Sequence, residues 1–152
     1  MKWLAREMDT YLQAKEYVDT AIVPLIPINW ENEIKSTVAM GEFISIISSE
    51  LERQFQGRVI EFPPFTYLKS ESDGKLERLK SWEKALKEND INHIIFITSD
   101  FEWEQAKQEL TETLIWLPSI PLEHMDHNHK VEVIEGQIKQ LIPFLTNKWQ
   151  NR

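Results

Sequence analysis

Two groups of residues have the types and spacing to do chemistry. The first is His124, Asp126, His127 and His129, three imidazoles and a carboxylate within six residues. Those are donors suited to a divalent metal. A working metal centre also needs fixed geometry and groups behind the ligands to orient them. The tract reads instead as a loop ahead of a helix, with Asn128 a natural cap. The second group is Trp30, Lys35, Ser36, Thr37, Thr98, Ser99 and Asp100. If the segments that carry them meet, Trp30 would stack on a ring. Lys35 and a helix start at Ser36/Thr37 would hold an anion. Asp100 would accept a proton or bind a hydroxyl. Helix capping by itself also accounts for Ser36, Thr37, Ser99 and Asp100.

Other signatures are missing or misplaced. Gly41, Gly57, Gly74 and Gly136 are scattered, so there is neither a GxGxxG nor a GxxxxGK[ST] phosphate loop, and no cofactor is expected. There is no Gly-x-Ser-x-Gly elbow for a hydrolase triad. Tyr11 and Lys15 have the phenol–ammonium spacing of some dehydrogenases, but they precede the first strand with no cofactor loop before them.

The elements that would position these residues follow from apolar periodicity. Ala21–Ile28, Val59–Phe62, Ile94–Ile97 and Leu114–Leu117 read as strands. The last two are continuous apolar runs, as in strands covered on both faces. Helices are predicted between them. One runs over Val38–Phe55 through Met40, Phe43, Ile44, Ile47 and Leu51, capped by Ser36 or Thr37 at its start and Gly57 at its end. A second is marked by Leu76, Leu79, Trp82 and Leu86, and a third by Trp103, Ala106 and Leu110. A last one covers about Val131–Trp149 with Pro143 inside it as an expected kink. Met8–Val18 reads as a short leading helix. Pro24 and Pro27 sit badly in a central strand, so the first strand is expected to be short, bulged or at an edge.

Strands separated by helices predict a three-layer α/β sandwich with a mainly parallel sheet of about four strands, in Rossmann-like or flavodoxin-like order. Such sheets bind ligands beyond the carboxyl ends of their strands, where the strand order reverses. With the four strands in the order 2-1-3-4, the reversal lies between the first and third, and the Trp30 and Asp100 segments converge there. The segment Pro63-Pro64-Phe65-Thr66-Tyr67 reads as a loop at that same end. No repeat or linker interrupts the chain, so residues 1–152 read as one domain.

Composition narrows the function classes. The chain has no cysteine, which excludes disulfides, thiolate metal sites and cysteine nucleophiles. Seventeen basic against twenty-five acidic residues give a net charge of −8. That disfavours phosphate backbones and anionic membranes, so no nucleic acid and no membrane is expected as partner. Lys2, Arg6, Glu7 and Asp9 interrupt any signal-peptide core. The uncharged stretch Thr20–Trp30 is far short of the roughly 20 residues of a span. The expected location is cytoplasmic.

Of the six tryptophans, Trp82, Trp103 and Trp116 fall on core faces or a strand, whereas Trp3, Trp30 and Trp149 are free to anchor a protein partner. The opening Lys2-Trp3, then Asp9, Tyr11, Lys15-Glu16-Tyr17-Val18-Asp19-Thr20-Ala21 and Val23-Pro24-Leu25-Ile26-Pro27, resembles the start of the YpiF-like family of small bacterial proteins of unknown function. The resemblance implies a bacterial cytoplasmic protein, supplies no catalytic residue, and draws attention to the polar segment Asp9–Thr20. The sequence reads as a non-enzymatic binding or regulatory domain with a protein partner or small ligand. One alternative is a small enzyme for a nucleotide-like or anionic metabolite with Asp100 as acid–base group. Another is a metal-binding protein using the histidine tract.

Overall fold

The fold is built around β1, Thr20–Ile28. The computed structural model describes residues 1–71 and 74–150. On one side β1 pairs in parallel with β4, His93–Thr98, which pairs in turn with β5, Thr113–Trp116. On the other side it meets two short strands in succession. β2, Val59–Glu61, pairs with Thr20–Ile22, and β3, Phe65–Leu68, pairs with Leu25–Ile28. The sheet is wholly parallel, in the order β2-β1-β4-β5 with β3 beside the second half of β1. The four runs expected from the sequence therefore lie second, first, third, fourth. The fifth strand, β3, falls where the sequence reads as a loop.

β1 is neither short nor at an edge, and its two prolines are accommodated by register. Phe62 N–H donates to the Ile22 carbonyl and Lys69 N–H to the Ile28 carbonyl. Even-numbered residues of β1 thus turn their backbone groups toward β2 and β3, and odd-numbered ones toward β4. Pro24 lacks its donor where the edge pair is itself broken, between β2 and β3 at Pro63–Pro64. Pro27 lacks its donor toward β4, whose pairing ends two residues earlier at Leu25↔Thr98. Neither proline removes a ladder bond that a partner could have made.

The pleat sends alternate residues of β1 to opposite faces. Ala21, Val23 and Leu25 face a core with Ile94, Phe96, Phe65 and Trp103. That core lies beneath α1, Ala5–Gln13, and α3, Lys75–Glu88. Ile22 faces the second core with Ile95, Ile97 and Ile115. There α2, Ile34–Gln54, contributes Phe43, Ile44, Ile47 and Leu51, and α4, His127–Gln150, contributes Ile138, Leu141 and Leu145. The result is a three-layer α/β sandwich. No helix among the described residues is long and apolar enough to cross a membrane.

Several element ends differ from the sequence reading. α2 begins at Ile34, with Glu33 before it in the left-handed region (φ 52°). Ser36 and Thr37 therefore lie within its first turn, and their hydroxyls donate back to the Glu33 carbonyl. α2 ends at Gln54, short of Gly57. The leading helix stops at Gln13, and Lys15–Tyr17 is a 3₁₀ turn. The expected third α-helix is two 3₁₀ stretches, Phe101–Gln105 and Lys107–Glu109. These must carry the chain from the carboxyl end of β4 back to the start of β5. A 3₁₀ rise of about 2.0 Å per residue covers that path in fewer residues than the α-helical 1.5 Å. α4 starts at His127 and contains Pro143.

Candidate functional site

Asp100 is the residue around which the carboxyl end of the sheet is organised. β4 delivers it just past Thr98, only 1% exposed. The Thr98 hydroxyl accepts from its backbone N–H at 3.0 Å. Its Oδ1 accepts from Lys69 Nζ at 3.0 Å and from Glu102 N–H at 3.1 Å, the latter capping the first 3₁₀ stretch. Its Oδ2 accepts from the Tyr67 hydroxyl at 2.5 Å. Tyr67 Oη accepts in turn from Trp103 Nε1 at 2.7 Å. The alternation of β3 explains why Tyr67 arrives here: Phe65 and Tyr67 turn inward while Thr66 and Leu68 turn out.

Burial alone would raise the Asp100 pKa, but the hydrogen bonds from Tyr67 and Lys69 outweigh it and hold the carboxyl below its ordinary value. Burial, and then the bond to Asp100, push the Tyr67 phenol well above its usual range. Burial would lower Lys69, but Asp100 reverses this and raises it. The network therefore holds an ionised carboxylate, a neutral phenol and an ammonium. Both Asp100 oxygens are occupied, so the carboxylate has a structural role to fill before it could take a proton.

Lys69, Glu102 and Trp103 of the network line an open cleft of about 720 Å³ between the end of β3, the start of α3 and the 3₁₀ stretches. Lys75 stands at its wall, its Nζ 5.0 Å from the centre of the Tyr67 ring and 5.4 Å from that of Trp103. Glu102 Oε2 lies 3.4 Å from Lys69 Nζ and 3.3 Å from Lys75 Nζ.

The residues singled out from the sequence divide between the two faces of the sheet. Thr98 and Asp100 turn toward the Tyr67–Trp103 side. Lys35, Ser36 and Thr37 belong to α2 on the other, where Lys35 pairs with Glu123 at 3.2 Å. Ser99 is buried, its carbonyl accepting from Trp116 Nε1 at 3.1 Å, while its hydroxyl has no partner among the described residues. Trp30 is 75% exposed. Tyr67, Lys69, Lys75 and Glu102 were not singled out. The available signal for two of them was the inward–outward alternation after Pro64, masked by the proline pair.

The histidine tract is a helix start. Asp126, not Asn128, caps α4: its Oδ1 accepts from His129 N–H at 2.8 Å and its carbonyl from Lys130 N–H. His124 lies 3.8 Å from Glu123. Among the described residues no three His, Cys, Asp or Glu side chains come together in a way that could hold a metal.

The family described as "Protein of unknown function (DUF2487)" matches residues 9–149. The chain is 34% identical over 149 residues to the "Uncharacterized protein YpiF" of Bacillus subtilis strain 168, covering 98% of both chains. This bears out the resemblance carried by the opening residues. No solved structure matches the chain.

Proposed function

The chain belongs to the DUF2487 family, and from that premise we propose that it is a non-catalytic cytoplasmic binding protein that docks a protein partner on the carboxyl end of its sheet. The observation that carries this reading is the exposure there of six large apolar side chains: Ile28, Trp30, Ile34, Val38, Leu68 and Phe101. They come from the ends of β1 and β3, the first turns of α2 and the segment after β4, so all lie at one end of the molecule. Scattered apolar residues are ordinary on a surface, but a group concentrated at one end marks an interaction site. Trp30, the most exposed of them, is the residue type most often found as an interface anchor.

The catalytic alternative rests on Asp100, and its engagement by Tyr67, Lys69 and Glu102 argues for a scaffold. The test is a Trp30→Ser, Phe101→Ser double variant beside the parent chain. The variant should melt within a few degrees of the parent and lose a partner that the parent retains from a cytosolic extract of its source bacterium. If both retain the same proteins, or neither retains any, the reading fails.

A further inference from the structure

Independently of the partner reading, we infer that Lys69 and Lys75 form a binding site for a phosphate group, which the Glu102 carboxylate occupies in the free protein. One oxygen, Glu102 Oε2, lies within 3.4 Å of both ammonium groups. That is the contact a phosphate oxygen would make. The cations are fixed and the anion is loose. Lys69 is tethered by buried Asp100, and Lys75 packs over the Tyr67 and Trp103 rings. The side chains of Lys69 and Lys75 are 26% and 16% exposed, that of Glu102 52%. The Glu102 backbone is pinned by its N–H bond to Asp100, so its side chain can swing out without disturbing the network.

Among the described residues, the other carboxylates at the cleft pair with cations other than Lys69 and Lys75. Glu71 binds Arg78 at 3.0 Å, and Glu77 and Glu109 flank Lys80 at 3.5 and 3.9 Å. Asp100 neutralises one of the two lysines. With Glu102 withdrawn, Lys75 has no ion pair left among the described residues, and Lys69 keeps only Asp100. A phosphate monoester, with about −1.5 to −2 charges near neutral pH, is a stronger occupant than one carboxylate. The cleft has room for the small organic group that carries it.

The test compares the parent, Glu102→Ala and Glu102→Ala/Lys75→Gln. Each is titrated calorimetrically with inorganic phosphate and with phenyl phosphate, in sodium chloride of matched ionic strength. Removing the internal carboxylate should tighten phosphate binding at least tenfold over the parent. Removing one of the two ammonium groups with Lys75→Gln should abolish that gain. Tighter binding of phenyl phosphate than of phosphate would assign the site to an ester, and the reverse to the free ion. Circular dichroism of the double variant checks its fold. Should it be unfolded, Glu102→Lys replaces it: a folded chain with a third ammonium there should bind phosphate at least as tightly as Glu102→Ala. The inference is overturned if Glu102→Ala binds phosphate no better than the parent. It also fails if the Lys75→Gln chain, or the Glu102→Lys chain where that is used, departs from its stated direction.

Discussion

Tyr67 donates its hydroxyl to Asp100 across 2.5 Å while accepting from Trp103 on its other side, so one phenol oxygen joins β3, β4 and the turn that follows β4. Replacing it with Phe keeps the ring and removes the oxygen. Asp100 Oδ2 and Trp103 Nε1 would then both be buried without a partner. An unsatisfied buried group costs about 1–3 kcal/mol, and more when it is charged. Tyr67→Phe should lower unfolding stability by at least about 2 kcal/mol in urea denaturation. A loss under about 0.5 kcal/mol would mean that water replaces the oxygen.

The same network sets the alkaline limit. Tyr67 and Lys69 both have pKa values raised by folding. A raised group adds stability that is complete below its unfolded value, and that is lost as pH rises toward the folded one. Stability should therefore fall above about pH 10, the ordinary phenol value. The fall should be shallower in Tyr67→Phe, which no longer has this phenol to ionise. Urea midpoints measured from pH 8 to 11 decide this.

On the acid side His93 supplies a separate handle. Burial lowers its pKa, with Lys148 and Arg58 adding to the effect while Asp19 and Glu112 oppose it. A depressed group contributes stability above its unfolded value, near 6.5 for imidazole, and loses it as pH falls through the folded value. The parent should thus lose more stability than His93→Gln between pH 7 and 5. Equal losses would place the acid sensitivity in the carboxylates alone.

Gly41 tests how tightly α2 lies on β1. A Cβ built there would sit 2.8 Å from Ile26 Cγ2, a branch fixed close to the strand backbone. Alanine in a helix interior gains about 0.8–1.0 kcal/mol over glycine. Overpacking of this kind costs about 1–3 kcal/mol. Gly41→Ala should therefore be net destabilising. In an Ile26→Ala background the same change should turn neutral or stabilising, a coupling that a double-mutant cycle reads directly.

These sites also indicate what could be read in advance. The apolar runs of β1, β4 and β5 and the helical periodicity of α2 made the layered parallel fold legible from the residues alone. The break between β2 and β3 did not show, because Pro63–Pro64 looks like the end of a strand. Only the register of β1, with its own proline opposite the gap, makes it the middle of an edge. The Asp100 cluster was half legible for the same reason. Asp100 announces itself as a cap, while Tyr67 and Lys69 arrive on the strand that the prolines concealed. Lys35 and Asp100 both follow strands, but the pleat assigns their elements to opposite faces, which spacing along the chain does not encode.

Nucleic acid should not bind at physiological salt. The net charge is −8, with twenty-five acidic residues against seventeen basic ones. Phosphate-backbone affinity depends on cations free to displace counterions. Fluorescence anisotropy with a labelled duplex and a single strand should show no submicromolar complex at 150 mM salt. A tight complex that weakens steeply with salt would reveal a basic surface that the average conceals.

The histidine tract gives the last prediction. His127 and His129 are two residues apart on α4, so about 200° of helical rotation separates their side chains. His124 precedes the helix, and the Asp126 carboxylate is committed to the His129 N–H. Binding a metal through all four would require unwinding the first turn of α4 and giving up its cap. Two measurements separate a structural metal from a helix start. Exhaustive chelation should leave the melting temperature unchanged, since neither the packing of Met125 against the core nor the Asp126 cap involves an ion. Asp126→Ala should cost about 0.5–2 kcal/mol through the lost cap, by the same amount with and without one equivalent of zinc. A melting temperature that drops by several degrees on chelation and returns with zinc would overturn this. So would an Asp126→Ala penalty that appears only when zinc is present. Either outcome would mean that the first turn of α4 rearranges around an ion.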